Sequence, residues 1–208
     1  MDPIQKLIRK EKEFNLRRAE ILSKAEEIFA AKGFYATTIG EIAAASGFAV
    51  GTLYQYFESK EQLFAALVSE KLEIFYGGIR EAVAGRESTL DKIRGLVEAH
   101  FSFVEKNSCF CAILIRREST YLAGAGSTLH DRMISDYLEH IAFIEAVMTK
   151  GVKARHLREQ DPRLLAFALA GMINSFTFAW INLPPSASLA EMTETLLAIF
   201  LEGVKAVE

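Results

Sequence analysis

Residues 37–64 read TTIGEIAAASGFAVGTLYQYFESKEQLF, and their spacing predicts two short helices joined by a tight turn. Thr38 is followed three residues later by Glu41, and this pair forms a capping box that starts a helix. Gly47 then supplies the positive φ that a tight turn needs. A second helix is expected from Val50 to Phe57. Because two helices joined so closely cross steeply, the segment is typical of a helix-turn-helix.

The predicted second helix has a distinctive exposed face. Leu53 and Phe57 have the spacing of a buried stripe, so Val50, Gly51 and Tyr54 are expected to lie towards solvent. Two tyrosines, at positions 54 and 56, place phenol hydroxyls near the end of a short helix, where they are useful donors to phosphate. On geometry alone an ordinary helical hairpin is the alternative. The side chains favour an element that enters a DNA groove.

The segment resembles the TetR/AcrR family of transcriptional regulators, and the preceding residues 25–34, AEEIFAAKGF, resemble the first helix of that family. The matching residues are Thr37, Thr38, Ile42, Ala43, Gly47, Gly51, Thr52, Leu53, Tyr54, Phe57, Lys60, Glu61 and Leu63. The resemblance implies a homodimer whose N-terminal domains bind a palindromic operator in double-stranded DNA. It also implies a small-molecule effector in the C-terminal domain that changes the separation of the two recognition helices. We therefore expect a repressor that its effector releases from the operator.

By matching position, the resemblance assigns DNA contacts to seven residues. The expected phosphate contacts are Thr38, Thr52, Tyr54, Tyr56 and Lys60, and the residues expected to approach base edges are Val50, Gly51 and Tyr54. Lys60 lies in the first turn of the next helix, where backbone N–H groups and an ammonium together favour an anion.

Three residues depart from the family's pattern. Ala49 stands where Ser or Thr is common, so the second helix loses its N-cap at a cost of about 1 kcal/mol. Gly40 offers no base-reading side chain, and Ser46 replaces a small apolar residue. Hydrogen-bonded base readout is therefore expected to be poor. Operator choice is expected to rest on thymine-methyl contact and DNA shape.

Apolar residues recur at three- and four-residue spacing through almost all of the 208 residues, which predicts an all-α protein of about nine helices. We expect an N-terminal three-helix DNA-binding domain over residues 1–60, with the helix-turn-helix at about 38–57. A C-terminal effector-binding and dimerisation domain is expected over 61–208. The first helix is expected over residues 16–32, with Gly33 as its end.

The charge of the chain gives only weak support for DNA binding. The net charge is −3, although residues 1–60 hold nine Lys and Arg against eight Asp and Glu. The first eighteen residues are either a DNA-contacting arm or a solvated helix extension. Their cations are Lys6, Arg9, Lys10, Lys12, Arg17 and Arg18.

The second half of the chain is rich in aromatic residues and is expected to enclose an apolar or amphipathic small molecule. Plain core packing is the alternative for each ring. The candidate ligand-pocket residues, chosen for rings and polar neighbours, are His100, Phe103, Arg116, Tyr137, Phe143, Asn174 and Phe178.

The last two helices are the candidates for dimerisation, at about residues 162–183 and 188–205. Asp161–Pro162 and Ser188 with Glu191 predict their starts. Residues 164–183 carry no charge over twenty positions, which is also the length of a membrane span. The polar residues within this stretch favour burial, partly against another subunit, and no membrane association is expected.

Other classes of protein are less consistent with the sequence. The sequence contains no recognisable set of catalytic or metal-binding residues. We therefore expect that the protein is not an enzyme and has no metal site and no cofactor. Cys109 and Cys111 leave open a redox-responsive regulator, although their spacing is poor for pairing. A helical small-molecule binder without DNA binding is the other alternative. No signal peptide is visible, so a cytoplasmic location is expected.

Overall fold

The structure is a computed structural model that describes residues 3–115, 127–183 and 187–204. Within these ranges the chain forms helices and no strands, so the predicted all-α fold with nine helices is confirmed. The helices are α1 (Pro3–Ala36), α2 (Ile39–Ser46), α3 (Val50–Leu53), α4 (Lys60–Ala84), α5 (Thr89–Lys106), α6 (Ser108–Ile115), α7 (Ser127–Lys153), α8 (Pro162–Asn182) and α9 (Leu189–Val204).

The chain divides into two compact units, which differ from the predicted domains in their bounds. The first unit holds Met1–Glu70 with Ala112–Ser127, and the second holds Lys71–Cys111 with Thr128–Glu208. The predicted boundary at residue 60 falls at the start of α4, whereas the units divide ten residues further along that helix.

An aromatic cluster forms the core of the first unit. The rings of Phe29, Phe34 and Phe64 lie with centroids between 5.1 and 5.4 Å apart, in stacked and edge-on pairs. All three are at most 4 % exposed. Aromatic pairs in these arrangements add stability beyond the burial of their area. The cluster therefore fixes α1 against the first part of α4.

Helix α1 begins at Pro3, thirteen residues before its predicted start at Leu16. Residues 4–15 contain no glycine or proline, and their charged and aliphatic side chains favour a helix without needing a buried stripe. Arg17 pairs with Glu13 one turn away, at 2.6 Å, which supports the same conformation. The predicted break at Gly33 is present, because its φ of 79° and ψ of 166° lie outside the helical region. One more turn then continues to Ala36.

Helix α3 is shorter than predicted. It ends at Leu53, and the chain continues through tight turns in which Gln55 N–H donates to the Thr52 carbonyl at 3.1 Å and Tyr56 N–H donates to the Leu53 carbonyl at 2.9 Å. Such i-to-i+3 bonds satisfy the backbone but end a regular α-helix. Residues 54–57 therefore follow the helix instead of forming its second turn.

The second unit is built on α5, which packs against α8 and α9. Its buried side chains come from helices α4 to α9, among them Leu96, Phe101, Ile144, Met148, Leu169 and Leu196. The predicted starts of the last two helices are present. Asp161 accepts a hydrogen bond from Arg163 N–H at 2.9 Å, and Ser188 forms a capping box with Glu191.

Candidate nucleic-acid interface and a cavity in the second unit

The start of α2 is fixed by the predicted capping box. The Thr38 hydroxyl accepts from Glu41 N–H at 3.2 Å, and the Glu41 carboxylate accepts from Thr38 N–H at 3.0 Å. Glu41 also forms an ion pair with Lys32 on α1. These bonds lower the pKa of Glu41, the bond from Lys32 being the largest cause. The carboxylate is therefore held in the charged form that caps the helix.

The turn between α2 and α3 depends on Gly47. Its φ of 73° and ψ of 17° are left-handed, and the following Phe48 N–H donates to the Ala43 carbonyl at 3.0 Å. A residue with a Cβ is strained in this conformation. Ala49 then begins α3 in the extended geometry of an N-cap, but no side chain caps the helix, as the sequence predicted.

Helix α3 exposes the residues that the sequence placed on its outer face. Val50 is 44 % exposed and Tyr54 is 54 % exposed, whereas Leu53 on the inner face is 1 % exposed. Gly51 is exposed, and a Cβ added there would meet nothing within 4 Å. Apolar side chains standing out from a short helix, beside open space at a glycine, form a surface that another molecule can approach closely. We call Val50, Gly51 and Tyr54 the α3 surface.

The remaining hydroxyl candidates differ in how free they are. Thr52 is half-buried. Tyr56 is also half-buried, and its ring stacks on Phe14 of α1 with centroids 4.4 Å apart. The Thr38 hydroxyl is exposed but lies 3.2 Å from the Glu41 carboxylate. A hydroxyl bound in this way still offers lone pairs, while its proton is directed to the carboxylate.

Lys60 was expected to bind phosphate, but its ammonium is bonded to backbone carbonyls of the first unit. Its ammonium donates to the carbonyls of Phe34 at 2.8 Å and Thr37 at 2.7 Å, and lies 4.3 Å from the centroid of the Phe34 ring. An ammonium has three protons, and two of them are directed at these carbonyls. Lys60 therefore ties the start of α4 to the connection between α1 and α2.

Several cations of residues 3–70 are paired with acidic side chains. Arg17 and Arg18 form ion pairs with Glu13 and Glu70, and Lys24 and Lys32 also have acidic partners. Apart from Lys60, the cations of this stretch without an acidic partner are at positions 6, 9, 10 and 12, all exposed in the first turns of α1. We call these residues, Lys6, Arg9, Lys10 and Lys12, the arm cations.

Two exposed aromatic residues of the first unit were not singled out from the sequence. Tyr35 is 67 % exposed, immediately after the bend at Gly33. Phe14 is 45 % exposed and covers Tyr56. The FY pair after Gly33 was a signal for Tyr35, because one ring of the pair must point away from the core. No local signal indicated that Phe14 would meet a residue 42 positions away.

The second unit contains a cavity of about 160 Å³ that collects three of the predicted ligand-pocket residues. His100 of α5, Tyr137 of α7 and Asn174 of α8 line it. The other lining residues are Phe75, Tyr76, His140, Ala170 and Ile173. Sequence reasoning missed Tyr76 and His140, since helical periodicity does not show which buried polar residue faces a cavity.

The other predicted pocket residues do not line this cavity. Phe103 packs on Phe75 with ring centroids 4.9 Å apart, behind the lining. Phe143 is half-buried on α7, and Phe178 is 56 % exposed on α8. Arg116 lies outside the described residues.

Burial keeps three groups of the cavity, His100, His140 and Tyr76, neutral. It lowers the pKa of His100 from 6.5 to about 3, helped by the nearby His140. It lowers the pKa of His140 to about 4, helped by the positive charge of Arg80. It raises the pKa of Tyr76 to about 12, helped by Asp136. The loss of hydration disfavours the charged form of each group.

Helix α8 has a second apolar face that the second unit leaves exposed. Leu164 is 64 % exposed, Phe167 is 38 % exposed and Phe178 is 56 % exposed, and Gly171 lies between them on the same side. Among the described residues, this helix alone is long and apolar enough to cross a membrane. About a third of its most apolar stretch, 33 %, is buried in the fold. On α9, Ile199 is 55 % exposed.

The described residues contain no group of three or more His, Cys, Asp or Glu side chains placed to hold a metal ion. Cys109 is exposed and Cys111 is buried, and neither forms a disulfide.

Comparison with known proteins gives the following matches. Residues 21–67 match the family model described as "Bacterial regulatory proteins, tetR family", and residues 86–204 match "Tetracyclin repressor-like, C-terminal domain". The fatty acid metabolism regulator protein of Bacillus subtilis is 23 % identical over 188 residues, which cover 89 % of this chain and 94 % of that protein.

The solved structures that share the fold include two with bound thioesters. The regulator FadR from Bacillus subtilis, in complex with stearoyl-CoA, has a TM-score of 0.76 at 21 % identity, covering 89 % of this chain and 98 % of that one. AibR, in complex with isovaleryl coenzyme A and operator DNA, has a TM-score of 0.71 at 19 % identity, covering 88 % and 97 %.

Proposed function

The chain belongs to the TetR family of DNA-binding transcriptional regulators, and we propose that it is a homodimeric repressor released from a palindromic operator by a small amphipathic ligand. The observation that carries the DNA-binding part is the α3 surface, which stands out from a helix-turn-helix whose first helix, α2, is held by a capping box. A recognition helix of this kind reads base edges in the major groove.

We propose that the α3 surface contacts base edges through Val50, Gly51 and Tyr54. Val50 and the ring of Tyr54 suit the thymine methyl group, and Gly51 lets the backbone approach the groove. Because this surface offers only the Tyr54 hydroxyl for hydrogen bonding, shape and deformability of the operator supply the rest of the specificity. Thr52 and Tyr56 contact phosphates. The Thr38 hydroxyl does so by turning its proton from the Glu41 carboxylate to a phosphate. Lys60 acts by positioning α2 against α4.

The arm cations supply the main electrostatic attraction to DNA in this proposal. The other cations of residues 3–70 are already paired or bonded to carbonyls. Binding of a cation to a phosphate releases a counterion, which makes affinity depend on salt. The stacking of Phe14 on Tyr56 supports this role, because it holds the base of the arm beside the recognition segment.

The dimer forms through α8 and α9. An exposed face with Leu164, Phe167 and Phe178, interrupted by Gly171, allows two helices to pack closely. Pairing of this face with its copy removes it from water, which accounts for its apolar character without a membrane. We infer a cytoplasmic protein.

The proposed effector is an acyl thioester or a related amphipathic molecule. Structures of the same fold were solved with stearoyl-CoA and with isovaleryl coenzyme A. The cavity of about 160 Å³ in the second unit is the proposed site of the effector's compact end. The redox alternative is less favoured, because Cys111 is buried whereas Cys109 is exposed.

A gel-shift titration with the chain's own upstream DNA tests the proposal, with and without isovaleryl-CoA and stearoyl-CoA. We expect a complex of two protomers on a duplex, weakened by an acyl-CoA but not by coenzyme A alone. Complexes that form equally well on unrelated duplexes would contradict specific operator binding. Complexes unaffected by any thioester would contradict the proposed effector class.

A further inference from the structure

The cavity in the second unit is lined by polar groups that the protein leaves without hydrogen bonds. Five of its eight lining side chains are polar: Tyr76, His100, Tyr137, His140 and Asn174. Within the described part of the chain none of the five forms a side-chain hydrogen bond, and the Nδ1 atom of His100 is fully buried without a partner. Buried polar atoms in folded proteins are normally satisfied, so the Nδ1 atom of His100 is available to a bound molecule. Tyr76 and Tyr137 line the cavity from half-buried positions and Asn174 from an exposed one.

The groups around the cavity carry no free positive charge. Helix α5 contributes His100, α7 contributes His140, Tyr137 and the nearby Asp136, and α8 contributes only the amide of Asn174. Helix α4 contributes Tyr76 and, close to His140, Arg80, whose guanidinium is bonded to Glu139 at 3.1 Å. A carboxylate placed here would lose its hydration and find no counter-charge. A neutral carbonyl would find phenol, amide and imidazole donors.

The volume of the cavity limits the size of its occupant. About 160 Å³ is close to the size of an apolar cavity that accepts benzene, about 150 Å³. A ring or a short branched acyl group fits this space. Phe75, Ala170 and Ile173 supply apolar contacts for its hydrocarbon part.

We propose that the cavity binds a compact uncharged group bearing a carbonyl oxygen, through His100, Tyr137 and Asn174, and rejects the corresponding carboxylate. This deepens the proposed function and rests on it for the biological ligand. An acyl group presented as a thioester, amide or ketone is accepted, whereas the free acid of the same acyl group is not. The regulator therefore responds to an activated acyl compound and ignores its hydrolysis product.

Binding of three matched probes to the full-length protein tests the inference. Benzamide is uncharged and carries a carbonyl, benzoate has the same shape with a negative charge, and toluene lacks a polar group. Dissociation constants are measured at pH 7.5 by ligand-observed NMR, supported by the shift in Tm. We expect benzamide to bind, benzoate to bind roughly tenfold more weakly or worse, and toluene to bind about three- to tenfold more weakly.

Two substitutions assign the binding to the cavity. Tyr137→Phe removes one hydroxyl and His100→Leu removes the orphaned imidazole, and each should weaken benzamide about three- to tenfold while leaving toluene nearly unchanged. His100→Leu should not lower the Tm, because it removes an unsatisfied polar group. The matched control is the variant His130→Gln, which changes an exposed histidine on α7. This variant should bind all three probes as the unsubstituted protein does.

The outcomes separate this inference from the proposed function. Equal affinity for benzoate and benzamide, or no binding of benzamide, would overturn the inference, as would benzamide binding that survives both substitutions. The same protein is titrated with upstream DNA without any probe. If the protein does not bind DNA in this titration, the proposed function as a regulator is contradicted, whatever the probe affinities are.

Discussion

Acidification from pH 7 to pH 5 is expected to destabilise the folded chain through His100 and His140. The pKa of a histidine in the unfolded chain is about 6.5, whereas burial holds the pKa of His100 at about 3 and that of His140 at about 4 in the fold. Between these values the unfolded chain binds more protons than the folded one. The stability that the two histidines contribute is thus fully present above pH 6.5 and is lost as the pH falls below it.

The size of the effect follows from the shifts. A pKa difference of one unit corresponds to 1.36 kcal/mol, and at pH 5 the unfolded imidazole is about 1.5 units below its own pKa. On going from pH 7 to pH 5, each histidine should therefore lower the free energy of unfolding by about 2 kcal/mol, and the pair by about 4 kcal/mol. This is a large part of the 5–15 kcal/mol that typically separates folded and unfolded states.

Urea unfolding at fixed protein concentration, followed by the fluorescence of the single tryptophan, Trp180, measures the free energy of unfolding at both pH values. The chain carrying His100→Leu should lose about 2 kcal/mol less than the unsubstituted chain between pH 7 and pH 5. His130→Gln, the exposed control, should retain the original difference. The carboxylates contribute equally to the pH dependence of all three proteins, so their contribution cancels when the proteins are compared. An unchanged pH dependence in His100→Leu would refute the reasoning that this imidazole is buried and neutral.

Four further predictions concern packing, capping, the arm and the dimer. Gly151→Ala should destabilise the chain by about 1–3 kcal/mol in urea unfolding, because a Cβ there would lie 2.6 Å from Thr89 and 2.7 Å from Leu157; an unchanged midpoint would contradict this packing. Ala49→Ser should raise the stability by about 1 kcal/mol, since Ala49 has N-cap geometry and no capping side chain; a lower Tm would count against it. Replacing the four arm cations by Gln should flatten the dependence of log K on log salt by about 0.9 for each DNA phosphate that the arm no longer neutralises, and an identical slope would remove the arm from the interface. Phe178→Glu, on the exposed face of α8, should yield monomers in light scattering, whereas Glu58→Ala, at an exposed position of the first unit, should remain dimeric.

Local interactions were predicted well from the sequence. The capping box of Thr38 with Glu41 and the left-handed Gly47 involve residues within a few positions of each other, and the structure contains both. The exposed Val50 and Tyr54 followed from helical periodicity in the same way. Such features depend on backbone geometry over one or two turns, which the residue types largely determine.

Non-local interactions were predicted poorly. The ammonium of Lys60 donates to the carbonyl of Phe34, 26 positions earlier in the chain. No pattern in the sequence predicts this hydrogen bond. The polar lining of the cavity comes from four helices, so His140 and Tyr76 could not be distinguished from other half-apolar residues of α4 and α7. The length of α1 was underestimated because its first turns are exposed and lack the buried stripe by which the helix was recognised.

The central claim is that the α3 surface reads DNA, and a fluorescence-anisotropy titration tests it most directly. Labelled duplex from upstream of the coding sequence is titrated with the unsubstituted chain, with Tyr54→Ala and with the control Ile74→Ala, which alters an exposed residue of α4 in the second unit. We predict that Tyr54→Ala weakens specific binding by about 1–3 kcal/mol, roughly 5- to 150-fold, and lowers the preference over an unrelated duplex by the same factor. Ile74→Ala should bind as the unsubstituted chain does. Equal binding by Tyr54→Ala and the unsubstituted chain would contradict the account.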